Sequence, residues 1–322
     1  MSLRHNLISN LPLEVHGTQS DKLSVSVGVC AYNEEPNISN LLRALQSQKT
    51  KRISLDQVIV VSSGSIDKTD EIVEFFQKND SRIVLVREPE RKGKASAVNL
   101  FLKRARGDIC VLESADTIPL ENTIEELCLP FFDETVGMVG GHPVPVNDPS
   151  TFVGFAVHFV WQLHHKVSLT TPKLGEIVAF RNMRELMRNT GSSSEAFAAA
   201  DETFIEAMVQ ARGYTVKYAP EACVRNKGPE TLGDFVEQRK RNHLSHLNVK
   251  RMTGYTASTM KSLRLMRTAL SCIRFSLRAF VWTVGAIALE LWARLLASYD
   301  FYIRKKSPHI WHSIAATKDL SQ

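Results

Sequence analysis

Acids that follow apolar runs are the residues of this 322-residue chain best suited to metal binding and proton transfer. In GDICVLESADTIP, Asp116 lies just past a β-branched stretch, close to Glu113. A carboxylate at that point suits a hard divalent cation, Mn2+ or Mg2+, bridging phosphate oxygens, because such ions prefer oxygen ligands and take few of them from protein. A solvated acidic loop is the plainer alternative. A second acidic element, Asp201-Glu202, opens a helical pattern after the small-residue stretch SSSEAFAAA. The helix dipole stabilises acids in a first turn, so capping alone accounts for them. The chemical alternative is a general base that takes a proton from an attacking hydroxyl. Gln238, Arg239, Lys240 and Arg241 stand in a row. Guanidinium forks bind phosphate oxygens in pairs, which suits a pyrophosphate, although a charge run also makes a solvated helix face. In VIVVSSGSIDKTDEIVEFF, Gly64 and the serines let backbone approach a ligand while Asp67 caps the next helix; the same pattern also serves as ordinary structural punctuation.

These residues need a frame, and the first two-thirds of the chain supply one. Short β-branched runs alternate with amphipathic helical patterns, the mark of a mostly parallel sheet covered by helices. Strands are expected at 23–30, 57–62, 83–87 and 109–113, with helices at 37–46, 68–78 and 94–106. The acidic and small-residue loops fall at the carboxyl ends of these strands, where open α/β sheets bind ligands. After Val139-Gly140-Gly141-His142 the alternation breaks down, and Pro143, Pro145 and Pro149 suggest an irregular crossing. Helices are expected again over 151–167 and 201–212, the latter closed by Gly213, then a strand over 215–218. A loop bearing Gly175 and Glu176 follows the first of these helices, and His142, His158, His164 and His165 read as scattered core or surface residues, with substrate contact on the acceptor side as the alternative.

A hydrophobic content of 43% allows one large domain or two ordinary ones. The net charge is +6, and Lys and Arg gather after residue 235, favouring an anionic partner there: membrane lipid, nucleic acid or a phosphorylated ligand. Five cysteines without close pairs signal neither a disulfide framework nor a zinc site, and a reducing cytosolic setting is expected. The first residues lack an apolar stretch long enough for a signal peptide. Near the C-terminus, AFVWTVGAIALELWARLLA (279–297) is about long enough to span a bilayer, and its Glu290 and Arg294, four apart, can pair on one helix face. The preceding MKSLRLMRTALSCIRFSLR reads as a basic amphipathic helix. A membrane-associated region, peripheral or single-span, is the first reading of this end; a pair of core or oligomer-contact helices is the second.

Taken in order, VGVCAYNEEPNISNLLRAL, VIVVSSGSIDKTDEIV, RKGKASAVNLFLKRARGDICVLESADTIP, VGMVGGHPVPV, ADETFIEAMVQARGYTVKYAPEACV and GPETLGDFVEQRKR resemble the inverting family 2 glycosyltransferases over about residues 24 to 250. The resemblance implies a GT-A fold: a Rossmann-like, mixed but mostly parallel sheet flanked by helices. Its implied domains are a 1–22 extension, a 23–142 nucleotide-sugar half, a 143–250 acceptor half and a 251–322 membrane-associated helical region. It places Ala31, Tyr32, Asn33 and Glu34 in the nucleotide pocket, Ser63 where an aspartate usually meets the base, and Lys94 near the donor. Ser114, Ala115 and Asp116 fall on the DxD element, Asp116 being the metal ligand. Glu202 falls on the second acid of the ED element, with Asp201 beside it, so that either is the implied base. Gln238 and Arg241 match the QxxRW element, and Arg239 lies between them at the donor diphosphate.

Departures from the family pattern carry meaning. Serines stand at 62, 63 and 114 where acids are usual, which implies weak metal affinity; the ED order is inverted; and Asn242 replaces the Trp that accompanies processive synthesis. The expectation is a single-transfer enzyme at the cytoplasmic side of a membrane. Its partners would be a nucleotide-sugar donor and a glycan or lipid-linked acceptor, with no nucleic acid. A non-catalytic nucleotide-sugar-binding scaffold is the rival from another class. A nucleotidyltransferase would need a glycine-rich basic loop after the first strand, which Cys30 to Glu35 does not provide.

Overall fold

The computed structural model describes residues 22–182, 202–254 and 276–305. One eight-stranded sheet organises them, in the order β3-β2-β1-β4-β7-β6-β8-β5. Its first half is three parallel pairings among β1 (Leu23–Ala31), β2 (Ile53–Ser63), β3 (Ile83–Glu88) and β4 (Ile109–Ser114). These are joined by α1 (Ile38–Gln46), α2 (Thr69–Asn79) and α3 (Lys94–Arg104). Strand alternation sorts their side chains into two cores. Val25, Val27, Val29, Val58 and Val60 face α1 and α2, while Ile59, Val61, Cys110 and Leu112 face α3. Gly28 lets α3 lie close, since a Cβ there would come within 2.4 Å of the Phe101 ring.

The second half reverses direction. β5 (Thr117–Pro119), α4 (Thr123–Cys128) and β6 (Val136–Pro145) lead to α5 (Phe152–Ser168) and β7 (Ile177–Arg181). β7 inserts antiparallel between β4 and β6, and β8 (Thr215–Asn226) runs parallel to β6 on the far side. The sheet is therefore mixed with parallel pairings in the majority, as the sequence implies. The break expected after His142 is not there, because β6 continues through Pro143 to Pro145. The physical reason lies in the pairing: β7 covers β6 only from Met138 to Gly140, so both prolines fall where one side of the strand has no ladder to break.

α6 (Glu202–Ala211) packs Ile205 and Val209 into the α3-side core. α7 (Leu232–Thr253) starts at Thr231, whose hydroxyl accepts from the Asp234 amide. α8 (Leu277–Tyr302) is long and apolar enough to cross a membrane. Its polarity is inverted relative to an ordinary surface helix. Thr283, Ala286, Ala293, Ala297 and Asp300 face the protein, whereas Val281, Val284, Leu291, Trp292 and Leu295 are more than half exposed. The polar side meets α7: Arg239 Nε donates to Glu290 at 2.6 Å, Arg294 Nε donates to the same carboxylate at 2.7 Å, and Lys240 pairs with Asp300 at 2.9 Å. The expected Glu290–Arg294 pair thus forms. Most of the basic amphipathic stretch before it, and Asp201, lie outside the described residues.

Candidate active site

Two loops at the ends of neighbouring parallel strands are laced together to make the first wall of a cleft. Past β1, Asn33 takes a left-handed φ of 52°. Its amide donates to Ser65 Oγ at 3.1 Å, and its side-chain oxygen accepts from the Ile66 amide at 2.9 Å. The Glu34 amide donates to Thr69 Oγ1 at 2.7 Å, and the Glu35 amide to Asp67 Oδ2 at 3.1 Å. Asp67 also accepts from the Thr69 amide at 3.0 Å, and these hydrogen bonds hold its carboxyl below the usual range although its partial burial works the other way. The two loops singled out in the sequence are thus one unit. Arg91 lies over the Tyr32 ring at 4.0 Å. Gly64, at φ +69°, passes so close to the β3–α3 loop that a Cβ would sit 2.6 Å from the Arg91 nitrogen. Ala31 and Ser63 are buried, and the Ser63 hydroxyl donates to Glu88 rather than opening to the cleft.

The second wall is charged. Lys94, the first residue of α3, makes an ion pair with Glu202, the first residue of α6. Their side chains are 46% and 20% exposed, so the pair opens toward the cleft. Burial pushes the Glu202 carboxyl up, but the Lys94 ammonium outweighs it and holds the acid ionised below its ordinary range. Burial also works against the Lys94 charge, and Glu202 reverses that. Cys30, at the end of β1, shares this neighbourhood, and burial lifts its thiol to about 12.

Beside this pair, at the end of β4, Glu113, Asp116 and Glu176 lie near enough to raise one another's carboxyls. Ser114 and Ala115 carry the chain from β4 to Asp116. Glu113 is only 3% exposed, accepts from the Thr117 hydroxyl through one oxygen, and its other oxygen is buried without a partner among the described residues. Glu176 comes from across the sheet, one residue before β7, where Ile177 pairs with Glu113. Burial, then Asp116, lift Glu176 to about 7 against the opposing pull of Lys94 and Arg241. Burial lifts Glu113 to about 8, helped by Glu176 and Asp116 and opposed by Thr117. Sequence reasoning gave Glu176 no role. Only the antiparallel insertion of β7 beside β4 brings it here, and no local pattern signals that.

Helix α7 divides the basic run between two tasks. Arg241 is close enough to favour the charged form of Glu176, and Gln238, one turn earlier, shares its face. Arg239 and Lys240 are placed elsewhere, on Glu290 and Asp300 of α8. The histidines turn into the protein as well: His142 stacks on His165 at 4.1 Å, His165 Nδ1 meets the Tyr218 hydroxyl at 2.8 Å, and His158 Nε2 meets the Asn147 carbonyl at 2.8 Å.

Known proteins share the sequence pattern and the fold. The family model described as Glycosyl transferase family 2 matches residues 26–199. "Probable glycosyltransferase YdaM" of Bacillus subtilis (strain 168) is 30% identical over 232 residues, covering 67% of this chain and 54% of that protein. The poly-beta-1,6-N-acetyl-D-glucosamine synthase of Staphylococcus aureus (strain COL) is 25% identical over 218 residues, covering 66% and 52%. The chain therefore spans about half the length of these curated relatives. Among solved structures, mannosyltransferase PcManGT from Pyrobaculum calidifontis, in complex with GDP-Man and Mn2+, superposes with a TM-score of 0.55 at 24% identity, covering 89% of this chain and 82% of that one. That likeness carries the GT-A fold. With the family pattern spanning more than half its length on that fold, the chain belongs to glycosyl transferase family 2.

Proposed function

We propose that the chain transfers a sugar from a nucleotide-activated donor to an acceptor hydroxyl, with inversion at the anomeric carbon. The observation that carries this reading is the meeting of Lys94 and Glu202 beside Asp116 and Glu176 at the strand ends. Glu202 is ionised, as a general base must be, and takes the acceptor proton; Asp201 is the alternative base. The acceptor oxygen then bonds to the anomeric carbon as the bond to the diphosphate oxygen breaks, and the diphosphate leaves with the electron pair. Lys94 is a counter-ion for Glu202 in the free protein and stands within the same cleft, so a donor phosphate competes for it. Drawing the ammonium toward the diphosphate makes Glu202 a stronger base when the donor is in place. Ala31 to Glu34, Ser63, Gly64 and Asp67 form or support the nucleotide wall. Gln238 and Arg241 face the diphosphate, while Arg239 braces α7.

The mutual repulsion of Asp116 and Glu176, with a buried, unpartnered Glu113 oxygen in the same neighbourhood, fits a hard cation, Mn2+ or Mg2+. Among the described residues no three acid, histidine or cysteine side chains form a ligand set. Asp116, with Glu176, would therefore hold the ion with donor phosphates completing its shell, where it supplies positive charge against the leaving group. The outward apolar face of α8 favours a bilayer beside the cleft and a lipid-linked or membrane-bound glycan precursor as acceptor.

Release of nucleoside diphosphate from UDP-, GDP- and dTDP-sugars, with and without Mn2+ or Mg2+, tests the reading. One donor is expected to turn over with metal, and Glu202→Gln to slow it by about 10²–10⁴. Turnover indifferent to Glu202→Gln removes that residue from the role; no binding or turnover of any donor defeats the transfer reading itself.

A further inference from the structure

Helix α8 is long enough to cross a bilayer, yet it is fastened to the folded domain along its length. Near its start, Arg278 donates to the Ser150 carbonyl at 2.6 Å, and Trp282 meets the rings of Phe152 and Phe155 edge-on at 5.8 and 5.5 Å. Gly285 lies so close to α5 that a Cβ would stand 3.0 Å from the Phe152 ring. Further on, Glu290 holds both Arg239 and Arg294, Asp300 holds Lys240, and Ala297 and Phe301 pack with Leu244 and Leu247 of α7. A helix that crossed the bilayer in this embrace would carry α7 into hydrocarbon with it. That helix bears Arg239, Lys240, Arg241, Lys250 and Arg251, and burying such charges in lipid is costly. A helix that let go instead would strand Glu290 and Asp300 in lipid and take from Arg239 and Lys240 the carboxylates they hold.

The other side of α8 has a single character. Val281, Val284, Leu291, Leu295 and Tyr299 recur at helical spacing as one exposed stripe, and no exposed charge interrupts it from Val281 to Tyr302. At 1.5 Å per residue the stripe runs about 30 Å. The exposed charges at its two ends are cationic: Arg278 at one, Arg304 and Lys305 at the other. Residues 255–275, which precede the helix, add Lys261, Arg264, Arg267 and Arg274 and no acid. A second copy docked here by two-fold symmetry would set like charges against each other, whereas an anionic bilayer neutralises them. Trp292, 54% exposed, and Tyr299 suit the zone between headgroup and acyl chain. We propose that α8 lies in the plane of an anionic bilayer and does not cross it. Its outer stripe is immersed to a depth of about 5–10 Å, while α5 and α7 hold its other side out of the lipid. The inference rests on the transfer reading for the presence of a bilayer, and goes on to fix how the helix meets it.

Depth measured along the helix tests this. The full chain carrying Trp292→Phe is reconstituted by detergent removal into vesicles containing phosphatidylglycerol, so that spanning is not kinetically denied. One outer residue at a time is then changed: Val281→Trp, Ile287→Trp or Leu295→Trp. Emission, less that of the Trp292→Phe parent, is compared in lipids brominated high on the acyl chain and near its end. An in-plane helix gives the same result at all three positions, the upper bromines quenching at least about twofold more than the deep ones. A spanning helix sets residue 287 near the midplane and the other two roughly 10 Å to either side. Deep bromines would then quench Ile287→Trp above the others, which overturns the proposal. Absence of quenching at every position also overturns it, and a concentration-dependent dimer in detergent-free buffer would give the stripe to a second copy. Nucleotide-sugar turnover on the same vesicles keeps the two readings apart. Turnover without quenching defeats the in-plane helix and spares the transfer reading; uniform shallow quenching without turnover does the reverse.

Discussion

Replacing Glu113 with Gln measures how hard the fold works to keep an acid beneath the cleft. Glu113 is 3% exposed, and burial aided by Glu176 and Asp116 lifts it to about 8 from an ordinary 4.5. Below pH 4.5 the group is protonated whether the chain is folded or not, and it costs nothing. From there to about pH 8 the unfolded chain ionises while the folded one holds its proton, so unfolding releases a proton and stability falls by about 1.4 kcal/mol per pH unit. From 4.5 to 7 this amounts to about 3 kcal/mol, a large share of the 5–15 kcal/mol typical of a folded protein. Gln keeps the shape and the contact with Thr117 but has no proton to lose. Urea midpoints of wild type and Glu113→Gln, taken in EDTA at pH 5, 6, 7 and 8, should therefore converge at the acid end and separate with rising pH, the variant being the more stable. Parallel curves would refute the description of Glu113 as a buried, proton-holding acid.

Three further outcomes follow from the geometry. Gly64→Ala forces a side chain into a left-handed conformation and onto the Arg91 backbone; a loss of about 1–3 kcal/mol or more is expected by denaturation, with weakened nucleotide binding. Lys94→Met removes the charge that outweighs burial at Glu202, so its carboxyl rises and the acid limb of the kcat/KM profile moves to higher pH; an unmoved limb removes Lys94 from that role. Leu291→Glu combined with Leu295→Glu, on the outer face of α8, should abolish flotation with anionic vesicles while the urea midpoint shifts by less than about 0.5 kcal/mol. Undiminished flotation would separate α8 from the membrane.

What the sequence made legible was local. β1, β3 and β4, like α1 to α3, lie within one or two residues of where periodicity and caps place them, because each is a self-contained pattern bounded by polar loops. β2 starts four residues early, and β8 runs on to Asn226, since neighbouring strands rather than propensity decide where these elements end. The loops after β1, β2 and β4 could be singled out because strand ends bind ligands by topology. Glu176 could not, for its place depends on a strand arriving antiparallel from the second half. Arg239 and Arg241 are indistinguishable in a basic run, and helix geometry alone sends one to α8 and turns the other to the cleft. The inward polarity of α8 was half visible, in the spacing of Glu290 and Arg294 but not in their partner Arg239.

The insertion of β7 beside β4 also has a consequence for biosynthesis. Strand β4 is complete at Ser114, but the strand that covers its outer edge begins only at Ile177. A chain emerging from its N-terminus thus assembles the parallel half first and carries a bare apolar edge through the synthesis of β5, β6 and α5. Unpaired edges of this kind are templates for pairing with other chains. Release stalled before Ile177 would yield a fragment with the laced loops after β1 and β2 already formed and a sticky flank, prone to association. The order of the sheet therefore makes the middle of translation the hazardous interval, and the arrival of β7 closes it before Glu202 arrives to complete the cleft.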